Sequence, residues 1–465
     1  MDAVATRPAN TNGAAIMIAA TAAMGGFLFG FDTAVINGTV DAIQGAFNMN
    51  AFVLGFVVAS ALLGCAVGAW FAGPLADKHG RIRVMVIAAI VFAVGSVGSA
   101  VAIGPIDLTI WRVVGGLAVG AASVIAPAYI AEISPAAIRG RLGSLQQLAI
   151  VVGIFIALLT DYALAEAAGG ASEPLWFGVD AWRWMLASEV IPAAAYLIMA
   201  LRIPESPRYL VRKGRIEEAR QVLTRVIGDD ADARLAEIQR SMIGANDKVQ
   251  LSDLKGPRFG LLPIVWVGIL LSVFQQFVGI NIIFYYSSTL WQAVGFTESD
   301  SLLITVITSV TNIVTTLIAI ALVDKVGRKP LLLFGAAGMV LTLGAMAWCF
   351  ANATVVGDTV TMSPVTGKVA LVAANLYVVA FGMSWGPVVW VLLGEMFNNT
   401  IRVTALAVAA AAQWIANWLI TVTFPPLSDI GLGLAYLIYT IFAALAFLFV
   451  LKAVRETKGR ELEEM

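Results

Sequence analysis

Twelve apolar stretches, each about the length of a bilayer-spanning helix and separated by short polar connections, constrain this chain most. They begin near residues 14, 53, 83, 108, 143, 182, 260, 301, 330, 369, 403 and 431. A helix needs about 20 mainly apolar residues to cross the hydrocarbon core. Only helices and closed barrels satisfy their own backbone groups there. Composition agrees: 60% of the 465 residues are hydrophobic and 13% are charged, where a soluble chain carries about 25% charged residues. So few charges cannot coat a water-facing surface. The expected class is an all-α polytopic membrane protein.

Six stretches precede and six follow one polar segment. The expected domains are a first six-helix bundle over 1–201, a helical linker over 202–259, a second six-helix bundle over 260–452 and a tail over 453–465. In the linker, Ile216, Ala219, Val222, Leu223 and Val226 recur at helical spacing. If both termini lie inside, all but three of the 29 Lys and Arg residues fall in inside segments; Arg183 and Lys368 are outside, and Arg112 is within a span. Basic residues are retained on the cytoplasmic side, so both termini are expected there. The start, MDAVATRPAN, lacks the pattern of a cleavable signal.

Several function classes drop out. A net charge of −1 gives no electrostatic grip on nucleic acid. Cys65 and Cys349 sit in apolar runs and read as small packing residues. The single histidine, His79, falls in an inside loop. No metal-ligand cluster, nucleophile with a base, or phosphate loop is visible, so neither an enzyme nor a bound cofactor is expected. A sensor on the same plan would need a long tail, and only a short one follows Leu451.

The two halves also repeat each other. GPLADKHGR follows span two and VDKVGRK follows span eight, with Asp77 and Asp324 each three residues before a Gly-Arg pair. EISPAAIR follows span four and EMFNNTIR follows span ten, with Glu132 and Glu395 each seven residues before Arg139 and Arg402. Matching inner loops in duplicated halves fit a transporter that rocks about a central site. The carboxylates Asp77, Glu132, Asp324 and Glu395, with Arg81, Arg139, Arg328 and Arg402, are expected to form latches at the cytoplasmic mouth, since carboxylate–guanidinium pairs are directional.

At this point a family resemblance becomes readable. GGFLFGFDTAVINGT, GPLADKHGR, RVVGGLAVG, YIAEISPAAIRG, PESPRYLVRKGR, QQFVGINIIFYYS, DKVGRKPLL, WGPVVWVLLGEMFNNTIR and ETKGRELEE run in order along the chain. Together they resemble the sugar porter family of the major facilitator superfamily. Two departures are visible: Arg455-Glu456-Thr457 stands for the family's Pro-Glu-Thr, and the second Asp-Gly-Arg loop lacks the leading glycine that Gly73 supplies in the first. The resemblance implies the major facilitator fold and transport of a sugar.

In-span polar residues should outline the pathway, because such groups are costly unless they face a cavity or one another. They are Gln146 and Gln147 in span five; Gln275, Gln276, Asn281, Tyr285 and Tyr286 in span seven; Asn312 in span eight; Trp385 and Trp390 in span ten; and Gln413, Trp414 and Asn417 in span eleven. Amides both donate and accept, as sugar hydroxyls do, and indole rings suit the apolar C–H faces of a sugar. An isolated amide such as Asn375 reads instead as an interhelical hydrogen bond. Glycine pairs such as Gly26/Gly30, Gly64/Gly68 and Gly116/Gly120 read as close helix packing. On a straight helix Gln276 and Asn281 stand roughly 140° apart, so a break near Gly279 is expected. Gly386-Pro387 is the expected breaker of span ten. The resemblance places the sugar ligands at Phe29, Gln147, Gln275, Gln276, Asn281, Tyr285, Asn312, Trp390, Gln413 and Trp414.

Asp32 lies one turn after Phe29, beside the expected site, and Arg112 is the only deep cation available to it. If alternating access changes their separation, proton affinity changes with it. The resemblance implies the same: proton-coupled members carry an acid and an arginine at these places, and Glu189 matches a further family carboxylate that would tune the relay. The expected function is import of a neutral monosaccharide, D-xylose, D-glucose or similar, with a proton as coupling ion, by a monomer in the lipid bilayer. The alternatives are an uncoupled sugar facilitator, in which Asp32–Arg112 only ties spans one and four together, and a symporter for another polyol such as inositol.

Overall fold

The computed structural model describes residues 11–134, 139–243, 254–257, 260–293, 295–356, 359–397 and 401–458. Among the described residues, eleven helices are long and apolar enough to cross a membrane. In the first half these are span one (Thr11–Val35), two (Ala51–His79), three (Arg81–Ala100), four (Pro105–Ile133) and five (Arg139–Ala168). Span six is a twelfth crossing in two pieces, Ala181–Ser188 and Val190–Ala200, parted at Glu189. Pro192 has no N–H for the Ser188 carbonyl, which explains the break.

The second half holds span seven (Pro263–Phe277 and Ile280–Tyr285), eight (Glu298–Val326), nine (Arg328–Ala351), ten (Pro364–Gly382 and Trp385–Met396), eleven (Arg402–Ile430) and twelve (Leu432–Ala453). One short antiparallel hairpin, Thr354–Val356 with Thr359–Thr361, interrupts the all-helical pattern. Local sequence sets the helix ends. Asn50 and Thr297 cap spans two and eight by accepting from Val53 N and Asp300 N. Proline begins spans four, seven and ten, where no N–H is needed.

The break in span seven falls where expected: Gly279 is left-handed, φ +86°. In span ten the break is at Met383–Ser384, ahead of the expected Gly386-Pro387. Pro387 leaves the carbonyl four residues earlier without a donor, so the helix opens upstream of the proline itself.

Spans two and four are in backbone contact. A Cβ on Gly64 would lie 2.2 Å from Val113 O, and one on Gly116 would lie 2.0 Å from Ala61 O. No side chain fits at either place. On span twelve Leu434, Leu437, Ile441, Leu445 and Leu448 form an exposed stripe at helical spacing, as a lipid-facing surface requires. Asn375 behaves as a packing residue, accepting from Thr308 Oγ1 at 3.3 Å across spans eight and ten.

Between the halves run the helices Pro207–Arg212, Ile216–Ile227 and Ala231–Ile243. Leu210, Ala219, Leu223, Ala231, Leu235 and Ile238 form their small core. An even number of crossings puts this linker, the start of span one and the end of span twelve on one face of the bundle, the linker face. On the opposite, far face the halves are joined by hydrogen bonds. Asn37 Nδ2 donates to Phe284 O at 3.0 Å, and Ser288 returns two bonds to Asn37 at 2.7 and 3.2 Å. Asp41 accepts from Thr289 and Gln292, each at 2.8 Å.

Candidate functional site

Asp32 and Arg112 meet in the first half, Nη1 to Oδ1 at 3.3 Å, and both are buried. Arg112 Nη2 also reaches Val58 O at 3.5 Å. Glu189, buried at the break in span six, lies within hydrogen-bond reach of Asp32 and Ser96. Its Oε1 has no partner among the described residues. Asp32 thus pairs with the guanidinium, and Glu189 is a second buried carboxyl beside Asp32.

The second half supplies a chain of amides. Gln275 Nε2 donates to the carbonyls of Trp385 and Gly386 at 2.8 and 3.2 Å. Gln276 Nε2 donates to Gln275 Oε1 at 3.3 Å, and Asn281 Nδ2 donates to Gln276 Oε1 at 2.5 Å. The left-handed Gly279 brings the last two together. Thus the broken span seven is fastened to the start of the second piece of span ten.

The two sets meet at Tyr285 and at a ring pair. Tyr285 is buried, with its hydroxyl in reach of Thr33, next to Asp32, and of Asn417 in span eleven. Phe29 of span one stacks edge-on against Trp414 of span eleven, centroids 5.3 Å apart. Gln413 is half-buried with an unpartnered Oε1. Asn312 is buried in span eight, and Gln147 is half-buried in span five. Trp390 is 42% exposed. Trp385 is held by its own bond from Nε1 to Leu332 O, at 2.9 Å. Thr33 and Ser96 were invisible in the sequence, because hydroxyl residues bond helix carbonyls everywhere in such bundles.

On the linker face the repeat becomes three-dimensional. Arg81 binds Glu132 at 2.8 Å and Asp77 at 3.2 Å, and Arg328 binds Glu395 through two bonds at 2.6 and 2.9 Å. Each of these ion pairs lies within one half. The side chains of Arg139, Asp324 and Arg402 lie outside the described residues. A further pair of motifs joins in. Glu205 accepts from Arg81 N and Ile82 N while Ser206 bonds Glu132. Glu456 accepts from Arg328 N and Lys329 N while Thr457 bonds Glu395. The signal was present, since Glu205-Ser206 and Glu456-Thr457 follow the sixth and twelfth spans. Gly80 and Gly327, at φ +96° and +104°, make the turns against which these carboxylates press.

A twelve-crossing bundle in two halves, with polar groups buried at their junction, is the architecture of a secondary carrier. The "Sugar (and other) transporter" family model matches residues 18–465. A glucose transport protein of Synechocystis is 58% identical over 452 residues, covering 97% of this chain and 96% of its own. The D-xylose–proton symporter of Escherichia coli is 40% identical, covering 96% and 94%. The xylose transporter of E. coli in an inward-open conformation superposes with a TM-score of 0.81 at 39% identity, covering 96% of this chain and 98% of that one. The chain belongs to the sugar porter family of the major facilitator superfamily. It is a multi-pass sugar transporter and not an enzyme.

Proposed function

We propose that the protein imports a neutral monosaccharide, D-glucose or D-xylose, together with a proton, as a monomer in the bacterial inner membrane with its linker face in the cytoplasm. The observation that carries this reading is the buried Asp32–Arg112 pair, 3.3 Å long and one residue from Thr33, which lies in reach of Tyr285 at the edge of the amide set. The relatives named for glucose transport and for xylose–proton symport support the substrate class and the coupling.

Sugar hydroxyls exchange with the bonds that Gln276 and Asn281 make to each other, while Phe29, Trp414 and Trp390 offer ring faces to the C–H surface. Two buried carboxyls and one guanidinium leave room for one proton. With the proton on Asp32, Arg112 loses that partner and turns to Glu189; with the proton gone, the 3.3 Å pair re-forms. Movement of span one against spans four and seven therefore alters proton affinity and sugar contacts together. The joined far face is the closed outer gate of this state.

Purified protein in liposomes tests this, with D-glucose, D-xylose, D-galactose and inositol offered with and without an imposed pH gradient. Gradient-driven accumulation by the wild type, lost in Asp32→Asn while exchange persists, is the expected result. Equal uptake with and without the gradient would leave an uncoupled facilitator, in which Asp32–Arg112 only ties spans one and four.

A further inference from the structure

Span five holds a buried acid with no part in the cluster above. Asp161 is fully buried, seven residues from the far-face end of its helix at Ala168. Its Oδ2 accepts from Gly38 N at 3.2 Å, and its Oδ1 has no hydrogen-bond partner among the described residues. The fit is close: a Cβ on Gly38 would stand 2.6 Å from Asp161 Cβ. Gly38 follows Asn37, which joins the two halves, and it is six residues beyond Asp32, about 9 Å on a helical rise. Asp161 thus sits between the far face and the Asp32 cluster.

Glu189 is the ionisable group whose charge reaches Asp161. It is also in hydrogen-bond reach of Asp32, and it too has one unpartnered oxygen. Toward the far face, the charged groups on the described elements packed against span five are engaged elsewhere: Asp107 accepts from Ile103 N, and Asp300 pairs with Thr297. Arg112 faces Asp32. Arg183 donates to the carbonyls of Ala100 and Ala102, and Glu298 accepts from Ala171 N. On span five itself Glu166 accepts from Ser299. Acids buried inside spanning bundles mark ion paths and proton relays. A carboxyl with one oxygen tethered and the other free gains and loses a proton without breaking its tether.

We propose that Asp161 is the outer station of the proton path, receiving a proton from the far face and passing it by way of Glu189 to Asp32. The proton binds Oδ1, moves to a Glu189 oxygen and then to Asp32, while the Gly38 bond to Oδ2 stays in place. This rests on the symport reading, with the far face outside.

The test compares wild type, Asp32→Asn, Asp161→Asn and Asp161→Ala in liposomes, using radiolabelled D-glucose and D-xylose in parallel. Each is assayed for counterflow at equal pH and for uptake driven by acid at the far face. Asparagine still accepts from Gly38 N but carries no exchangeable acid proton. For Asp161→Asn the expected result is persistent counterflow, loss of gradient-driven uptake and a flattened dependence of uptake on far-face pH. Asp161→Ala, which also loses the tether, is expected to lose counterflow too. Wild-type pH dependence in Asp161→Asn, with Asp32→Asn uncoupled, would overturn the relay and leave symport standing. Joint loss of counterflow and driven uptake in Asp161→Asn would make the residue a fold element and also overturn it. A wild type indifferent to the gradient would overturn symport and relay together.

Discussion

Arg328 grips Glu395 through two parallel hydrogen bonds, Nη2 to Oε1 at 2.6 Å and Nε to Oε2 at 2.9 Å, with Arg328 largely buried. A lysine keeps the charge but cannot present that fork. Hydrogen bonds to charged groups contribute about 1.5–3 kcal/mol, so Arg328→Lys is expected to lower the thermal midpoint of the detergent-solubilised protein clearly. Arg215, whose partner Glu218 lies in solvent on the linker, is the control. Arg215→Lys should leave the midpoint in place, because exposed pairs are screened. Equal shifts for the two variants would count against a structural role for the Glu395 pair.

Glu456 ties the tail to the start of span nine. Partial burial pushes its carboxyl up, but the backbone N–H groups of Lys458, Arg328, Lys329 and Thr457 outweigh this and hold it below its ordinary 4.5. A group depressed in the folded state lends stability that is complete above its unfolded value and is lost as pH falls through the folded one. The tether is therefore full at neutral pH and weakens only below about 4.5. Amide hydrogen exchange at Arg328 and Lys329, corrected for intrinsic rates, should show protection lost on acidification in the wild type. In Glu456→Gln that acid step should be absent; an identical acid step would assign it to another carboxylate.

The spans and the repeated inner loops were legible because their signals are local: apolar length in one case, Asp and Gly-Arg at fixed spacing in the other. The bend in span seven was legible for a different reason. Gln276 and Asn281 could share a site only if the helix broke, and Gly279 stood between them. What stayed hidden depends on partners far apart in sequence. Glu205 meets Arg81 N across 124 residues and Ser288 meets Asn37 across 251, and neither carries a periodic pattern. Backbone carbonyls as partners, such as those of Trp385 and Gly386 for Gln275, leave no trace in side-chain identity. Asp161 carries no such signal, because its significance comes from Gly38, which the fold brings beside it, and from the charge of Glu189.

Gly279→Ala tests whether the bend matters to transport. Its φ of +86° disfavours any Cβ, and a Cβ there would lie 2.9 Å from the Tyr439 ring. The left-handed conformation alone costs an L-residue about 1–2 kcal/mol, before any shift of Tyr439. Sugar counterflow is expected to fall sharply as Gln276 and Asn281 separate. Gly45→Ala, in the short helix Val40–Phe47 with nothing within 4 Å of the added carbon, should match or slightly exceed wild-type stability. Normal counterflow in Gly279→Ala would mean that the amide contact does not shape the sugar site.

The far-face closure makes the last prediction. Asn37→Ala removes two side-chain bonds, to Phe284 O at 3.0 Å and from Ser288 N at 3.2 Å, and keeps the backbone bond from Ser288 Oγ. At about 0.5–1.5 kcal/mol net for each bond, the balance between closed and open far faces should move by about 5- to 150-fold. The direction follows from what is lost: both bonds exist only while the halves touch there, so their removal favours opening. A cysteine at Thr33, buried beside Tyr285, reports the change through its reaction with an impermeant thiol reagent added at the far face. The native Cys65 and Cys349 are both buried and can stay. Labelling should speed up in Asn37→Ala and stay unchanged in Asn352→Ala, whose side chain bonds Trp348 O within its own half. Wild-type labelling in Asn37→Ala would show that other contacts hold the far face shut, with Asp41 and its partners Thr289 and Gln292 the next pair to remove.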